Sequence, residues 1–176
     1  MFASEIVPNT LETTYLEMTS AKQFKPSFNQ TDDIRVERMD TVDVNFYLYL
    51  YKSVGEKWRW RDRLQISRAE LRRELDKSTT HVYVLYVHGA PAGYIELAQQ
   101  GRSIEVAYFG LREEYIGRGL GKHLLSCGIQ EAWQMGASRV WLHTCNLDGP
   151  YALSNYQKRG FKVYLREREP MPHRYL

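Results

Sequence analysis

Between Ile104 and Leu125 the chain reads IEVAYFGLREEYIGRGLGKHLL: an alternating apolar segment, a glycine-rich turn, then an amphipathic run. Gly117, Gly119 and Gly121 alternate with Arg118, Leu120 and Lys122. Without side chains at those points, backbone N–H groups can close on an anion at a helix N-terminus, where the dipole favours negative charge. Arg118 and Lys122 add positive charge beside the same turn. The chemistry to expect is capture of a phosphorylated ligand. A P-loop is excluded, because it needs a glycine where Ile116 stands and a Ser or Thr where His123 stands. A dinucleotide fingerprint lacks its closing glycine. The competing reading is a strand-to-helix connection that binds nothing.

Other residues could react or recognise. Glu105 lies early in the segment before the turn, and Glu96 lies in the preceding apolar run, AGYIEL. If Gln100-Gly101 is a two-residue turn, Glu96 sits directly across from Glu105 on the same face, and a one-residue slip puts them on opposite faces. Two carboxylates that close cannot both ionise freely, so one is raised toward the range of a useful base. The alternative is that they face solvent and pair with Arg102 or a lysine. His143 and Cys145 end the apolar segment RVWLHT-C. A histidine there is a base or a satisfied core residue, and a nucleophilic cysteine would need a base beside it. No Cys/His cluster has metal-ligand spacing, so zinc is not indicated. The connector Trp58-Arg59-Trp60-Arg61-Asp62-Arg63 interleaves rings and cations in a way that suits stacking on nucleic acid. It is short, and the commoner arrangement has tryptophans packing helices while arginines face water.

Elements of known period must position these groups. The 176 residues suffice for one domain with a core, 1–176, in which 1–33 forms an extension of one strand and a loop. The formal net charge of +3 is too small to argue for nucleic acid, though it suits a polyanionic small molecule. No apolar run reaches membrane-spanning length, and the start MFASEIVPNT lacks the basic and apolar regions of an export signal. Two cysteines read as free thiols in a reducing compartment, which makes the cytoplasm the expected location. Thr13 to Met18 reads as a short strand, and Ser20 to Asp33 as a loop. IRVERM reads as a half-buried strand. Asp40 is placed to cap a helix with Val44, Tyr47, Leu48, Tyr51 and Val54 on one face, ended by Gly55. Ser67 and Glu70 form a capping box for a second helix, with Ile66 stapled to Leu71. Three strands follow as a meander, then a helix from the glycine turn to Met135, the strand RVWLHT, a helix capped by Asp148 with Pro150 at its first position, and a last strand, FKVYLRE. The class is α/β with a mixed sheet.

Two segments in this order resemble the GNAT superfamily of acetyl-CoA-dependent N-acyltransferases. YFGLREEYIGRGLGKHLL is similar to the cofactor signature (Gln/Arg)-x-x-Gly-x-(Gly/Ala), with Gly119 and Gly121 in the glycine places and Ile116 in the first. ALSNYQKRGF is similar to the late pattern Ala-x-x-x-Tyr-x-x-x-Gly-Phe, with Ala152, Tyr156, Gly160 and Phe161 in place. The resemblance implies the GNAT fold, a mixed central sheet flanked by helices, here with an extra N-terminal strand. Only one clear strand follows the last helix, so the extra strand is expected to fill the sheet position left open. The resemblance also implies acetyl-CoA as co-substrate, held through Phe109, Gly110, Leu111, Ile116, Gly117, Arg118, Gly119, Leu120, Gly121, Lys122 and Tyr156. Gly149 stands where the family often has an Asn, and Asn146 or Asp148 is expected to compensate. Amide formation from a thioester needs a base for the amine, support for the oxyanion and an acid for the thiolate. The resemblance puts Glu105 where histone-acetylating members place their base, with Glu96 on the neighbouring strand as the other candidate, and makes Tyr156 the acid and the Phe109 N–H the oxyanion donor. It also puts Trp58, Trp60 and Asp62 beside the acceptor, a small-molecule or peptide amine, with no nucleic acid or membrane as partner. Homodimerisation, use of another acyl-CoA, and a non-catalytic acyl-CoA-binding module are left open.

Overall fold

The structure, a computed structural model, describes residues 7–176; the reading of residues 1–6 as free of an export signal lies outside them. Seven strands form one sheet: β1 (Thr10–Met18), β2 (Ile34–Arg38), β3 (Thr80–Val87), β4 (Ala90–Gln100), β5 (Ser103–Leu111), β6 (Arg139–Cys145) and β7 (Lys162–Pro170). Their order across the sheet is β2-β3-β4-β5-β6-β1-β7, with β5 and β6 parallel and the other neighbours antiparallel. The extra N-terminal strand therefore lies inside the sheet, between β6 and β7, in the position expected for it.

Helices cover the sheet unequally. On one face α1 (Val44–Gly55) and α2 (Arg68–Leu75) enclose a core of Tyr47, Leu50, Tyr51 and Val54 with Leu71, Val82, Val84 and Tyr94. On the other, α3 (Leu120–Gln134) buries Leu120, Leu124, Leu125, Ile129 and Ala132 against Ile95, Leu97 and Leu142, with α4 (Ala152–Lys158) adding Tyr156. These are the α3 positions that the 3.6-residue period selects. The Ser67–Glu70 capping box forms as expected: Glu70 N–H donates to Ser67 Oγ at 3.2 Å and Ser67 N–H to the Glu70 carboxylate at 2.8 Å.

Four local expectations need correction. The cap of α1 is Asp43, whose carboxylate accepts from the Phe46 N–H at 2.9 Å. Asp40 is held back because the chain still runs along the sheet, Met39 N–H donating to the Val82 carbonyl at 2.8 Å. Helix α4 begins at Ala152 and not at Pro150. Asp148 instead closes the turn before it, accepting from the Thr144 hydroxyl and from the Cys145 N–H at 3.0 Å. The β4–β5 turn is Gly101-Arg102, since Gln100 pairs with Ser103. The loop from Ser20 contains a 3-10 turn, Ala21–Gln23, with its own capping box.

Candidate active site

Strands β5 and β6 hold together only from Ser103↔Arg139 to Glu105↔Trp141. Beyond that pair they diverge, and a cavity of about 740 Å³ opens between them. A bulge in β5 helps to part them: Leu97 faces Val106 but Glu96 faces Tyr108, leaving Ala107 as the extra residue. The added residue kinks the strand and changes which side chains share a face. Tyr108 joins the α1–α2 core, and Phe109 meets Tyr156, with ring centroids 6.1 Å apart.

At one end of the cavity lies the glycine turn. Gly117 (φ 86°) and Gly119 (φ 74°) occupy the left-handed region, which a side chain resists. Gly119 immediately precedes α3 and brings no capping side chain, so the first-turn N–H groups have no intrahelical partner. Lys122 lines the cavity, and the Arg118 guanidinium lies over the Tyr115 ring at 5.3 Å. Phe109, Gly110, Leu111, Ile116, Gly119, Gly121, Lys122 and Tyr156 all line the cavity, while Gly117, Arg118 and Leu120 flank it. Left-handed glycines, donors at a helix start and a lysine fit a pyrophosphate, and the β5 edge beyond Glu105 leaves backbone for an amide-bearing arm. Asn146 does not belong to this set. Its side chain fastens β1, accepting from Glu12 N–H at 3.0 Å and donating to the Thr10 carbonyl at 2.9 Å. Asp148 does line the cavity, with its carboxylate accepting from the Thr144 hydroxyl and the Cys145 N–H. Gly149 receives the Trp58 ring, which a Cβ there would meet at 3.2 Å.

The three acid–base candidates stand apart. Tyr156 is 8 % exposed and reaches the cavity, and among the described residues its hydroxyl has no hydrogen-bond partner. Burial, with Asp148 and Cys145 adding to it, raises the phenol well above its ordinary range, so it remains a proton donor. Glu105 shares a face with Glu96, but its cross-strand partner is Ala98, because the turn is Gly101-Arg102. Burial raises the Glu105 carboxyl, and Glu96 raises it further, while His143 and Arg63 act the other way. Its Oε1 is 3.8 Å from His143 Nε2, and the imidazole, half exposed, lines the cavity in front of it.

Glu96 is 1 % exposed and fully engaged: Arg63 Nη2 donates to one oxygen at 2.6 Å and the Tyr47 hydroxyl donates to the other. Burial raises this carboxyl, and the two donors draw it back toward the charged form. Arg63 itself lies over the Tyr108 ring at 5.2 Å, so this arginine of the connector faces inward and not water. The pairing carries a recoverable sequence signal. A carboxylate in an apolar strand demands a donor, and RWRDR is the basic segment with no other task. Cys145 lines the cavity, but burial pushes its thiol up to about 11, which leaves it protonated at neutral pH.

Much of the remaining wall is aromatic. Trp58, Trp60 and Asp62 line the cavity together with Tyr51, Tyr108, Tyr151 and Tyr175. Trp60 is set by its neighbours: its ring lies against Gly55, where a Cβ would come within 2.3 Å, and packs on Tyr51 and Tyr108 at 5.4 Å each.

This geometry can be set beside known proteins. The sequence profile of the acetyltransferase (GNAT) family matches residues 47–161. A mycothiol acetyltransferase from Corynebacterium aurimucosum is 41% identical over 59 residues, 34% of this chain and 19% of that protein. A GCN5-related N-acetyltransferase from Sphaerobacter thermophilus superposes with a TM-score of 0.69 at 16% identity, over 93% of this chain and 52% of that one. This chain thus spans about half the length of that neighbour. An aminoglycoside acetyltransferase from an uncultured soil metagenomic sample superposes with a TM-score of 0.62 at 16% identity, over 74% and 90% of the two chains. The superpositions show a shared fold, and the profile match covers the glycine turn, the parted strands and the Tyr156 helix together. The chain belongs to the GNAT acetyltransferase family.

Proposed function

We propose that residues 1–176 form one N-acetyltransferase domain that transfers the acetyl group of acetyl-CoA to a primary amine by direct attack. The observation that carries this reading is the cavity itself. It runs from the left-handed glycines at the start of α3, along the unpaired edge of β5, to Tyr156 and His143. When bound, acetyl-CoA supplies an acyl group already activated as a thioester. The first-turn N–H groups of α3, with Lys122, hold its pyrophosphate, and Gly117 and Gly119 let the backbone approach. Phe109 N–H is the donor for the carbonyl oxygen as negative charge develops there. Glu105 takes the proton of the incoming amine by way of His143, the ring that separates it from the cavity. Tyr156 returns a proton to the departing sulfur. Cys145, held protonated, carries no acyl group in this scheme.

Glu96 acts as a positioning residue, since Arg63 and Tyr47 already occupy both of its oxygens. Through Arg63 it anchors the connector that bears Trp60 and Asp62. The free thiols of Cys127 and Cys145 accord with a reducing compartment, and we place the protein in the cytoplasm. Among the described residues no helix is long and apolar enough to cross a membrane.

An amine panel monitored by free CoA tests this reading, with Glu105→Gln, Glu96→Gln and Tyr156→Phe alongside. The expected result is amine-dependent thiol release that Glu105→Gln and Tyr156→Phe depress at kcat. Full turnover in all three variants would remove the mechanism. Calorimetric binding of CoA with no release for any amine would instead mark a non-catalytic acyl-CoA-binding module.

A further inference from the structure

The acceptor end of the cavity is closed by a segment from the far edge of the sheet. Strand β7 is the outermost strand, yet its last residue, Pro170, pairs with Thr10 of β1, whose Thr13 pairs with Cys145. The chain leaves β7 at the cavity end of the sheet and forms a 3-10 turn, His173–Tyr175. Four contacts fix that turn. Met171 N–H donates to the Asn9 carbonyl at 2.9 Å, and Arg59 Nη1 donates to the Tyr175 carbonyl at 3.2 Å. Arg174 Nε lies 3.3 Å from Asp62 Oδ1, and its guanidinium covers the Tyr175 ring at 4.6 Å. Tyr175 is thereby delivered into the wall of the cavity that Trp58 and Trp60 also line.

The wall also has a definite charge balance. Three carboxylates line the cavity. Asp62 pairs with Arg174 and Glu113 pairs with Lys57 at 2.7 Å, while Asp148 is met only by two neutral donors, the Thr144 hydroxyl and the Cys145 N–H. Arg59 and Lys122 add positive charge to the same lining. The wall as a whole therefore carries no net negative charge to attract a polycation. What the acceptor meets instead are five rings, Trp58, Trp60, Tyr108, Tyr151 and Tyr175, with the fully buried Tyr51 packed behind Trp60 and Tyr108. Aromatic walls favour a flat apolar body, and their faces also attract the single ammonium that precedes reaction.

We propose that the acceptor is a monoamine with an aromatic body, and that Tyr175 is a specificity-determining residue that packs on that body, held in place by Arg174 and Arg59. This rests on the transferase reading and names its acceptor class. The probes are phenethylamine, n-butylamine and spermidine, compared by CoA release with the full chain. The expected kcat/KM for phenethylamine exceeds that for either other amine by at least about tenfold. Tyr175→Ala raises the phenethylamine KM about tenfold and leaves the acetyl-CoA KM where it was, whereas Tyr175→Phe keeps the preference. A preference for spermidine, or an unchanged phenethylamine preference in Tyr175→Ala, overturns the proposal. If no amine releases CoA, the transferase reading fails. The pocket claim is then judged by quenching of tryptophan fluorescence on adding phenethylamine with CoA present. Quenching that weakens in Tyr175→Ala upholds it, and quenching that is absent or insensitive to Tyr175 overturns it.

Discussion

The two ends of the cavity are built on different principles. The donor end is made of backbone: two left-handed glycines, the open donors of the first turn of α3 and the unpaired edge of β5, all within Val106 to Lys122. The acceptor end is made of side chains from distant segments: Tyr51 on α1, Trp58 to Arg63 on the connector, Tyr108 on β5, and Arg174 with Tyr175 beyond β7. Its one deeply buried charge, Glu96, is balanced by Arg63 across 33 residues of sequence. A backbone site tolerates change in its flanking side chains, because the ligand meets N–H groups. A side-chain site depends on packing and charge pairing, and any one member can be exchanged to alter what is accepted. On the proposed reading, the first kind of site suits an invariant pyrophosphate and the second a variable amine.

Mutations at the two ends should therefore differ in kind. The largest effect belongs to the acceptor end. Arg63→Met leaves Glu96 buried without its cation, and urea denaturation should show a loss of about 3 kcal/mol or more, as for other broken buried pairs. A loss below about 1 kcal/mol would mean that Tyr47 alone satisfies the carboxylate. Next comes the chemistry between the two ends. Glu105→Gln should lower kcat about 100-fold or more while the acetyl-CoA KM stays put. The pH profile gives the sign. A base acts when ionised, and burial raises Glu105, so wild-type kcat should fall as pH drops through a limb lying above the ordinary carboxylate range. That limb should be missing from the residual rate of the variant. At the donor end, Gly119→Ala forces a side chain into a left-handed backbone at a cost of about 1 to 2 kcal/mol. It should raise the acetyl-CoA KM about tenfold without changing amine preference. Smallest is the exposed Lys57–Glu113 pair, where Lys57→Ala should shift stability by less than about 1 kcal/mol.

The same contrast explains what could be read in the chain before folding. The glycine turn, the α3 face and the Ser67–Glu70 box are local patterns, and each recurs in the structure. The placement of β1 between β6 and β7 followed from counting strands after α4. Register was harder to see. The turn at Gly101-Arg102, one residue later than expected, makes Ala98 and not Glu96 face Glu105, and nothing in VAYFG announces the bulge that then sets Tyr108 against Glu96. Asp40 and Asp43 are equally good caps by type, and only the sheet bond of Met39 chooses between them. Asn146 lies close to the motif in sequence but is spent on β1, a partner 134 residues away. Arg174 and Tyr175 carry no local signature, since their role exists only once β7 is laid beside β1.

The central claim is that the cavity moves an acetyl group between its two ends. Its most direct test is free-thiol release at saturating acetyl-CoA as the concentration of phenethylamine is raised, for the wild type and for Glu105→Gln. The account expects saturable, amine-dependent release that falls about 100-fold in the variant. CoA that binds tightly, with release no faster with amine than without it, would contradict it.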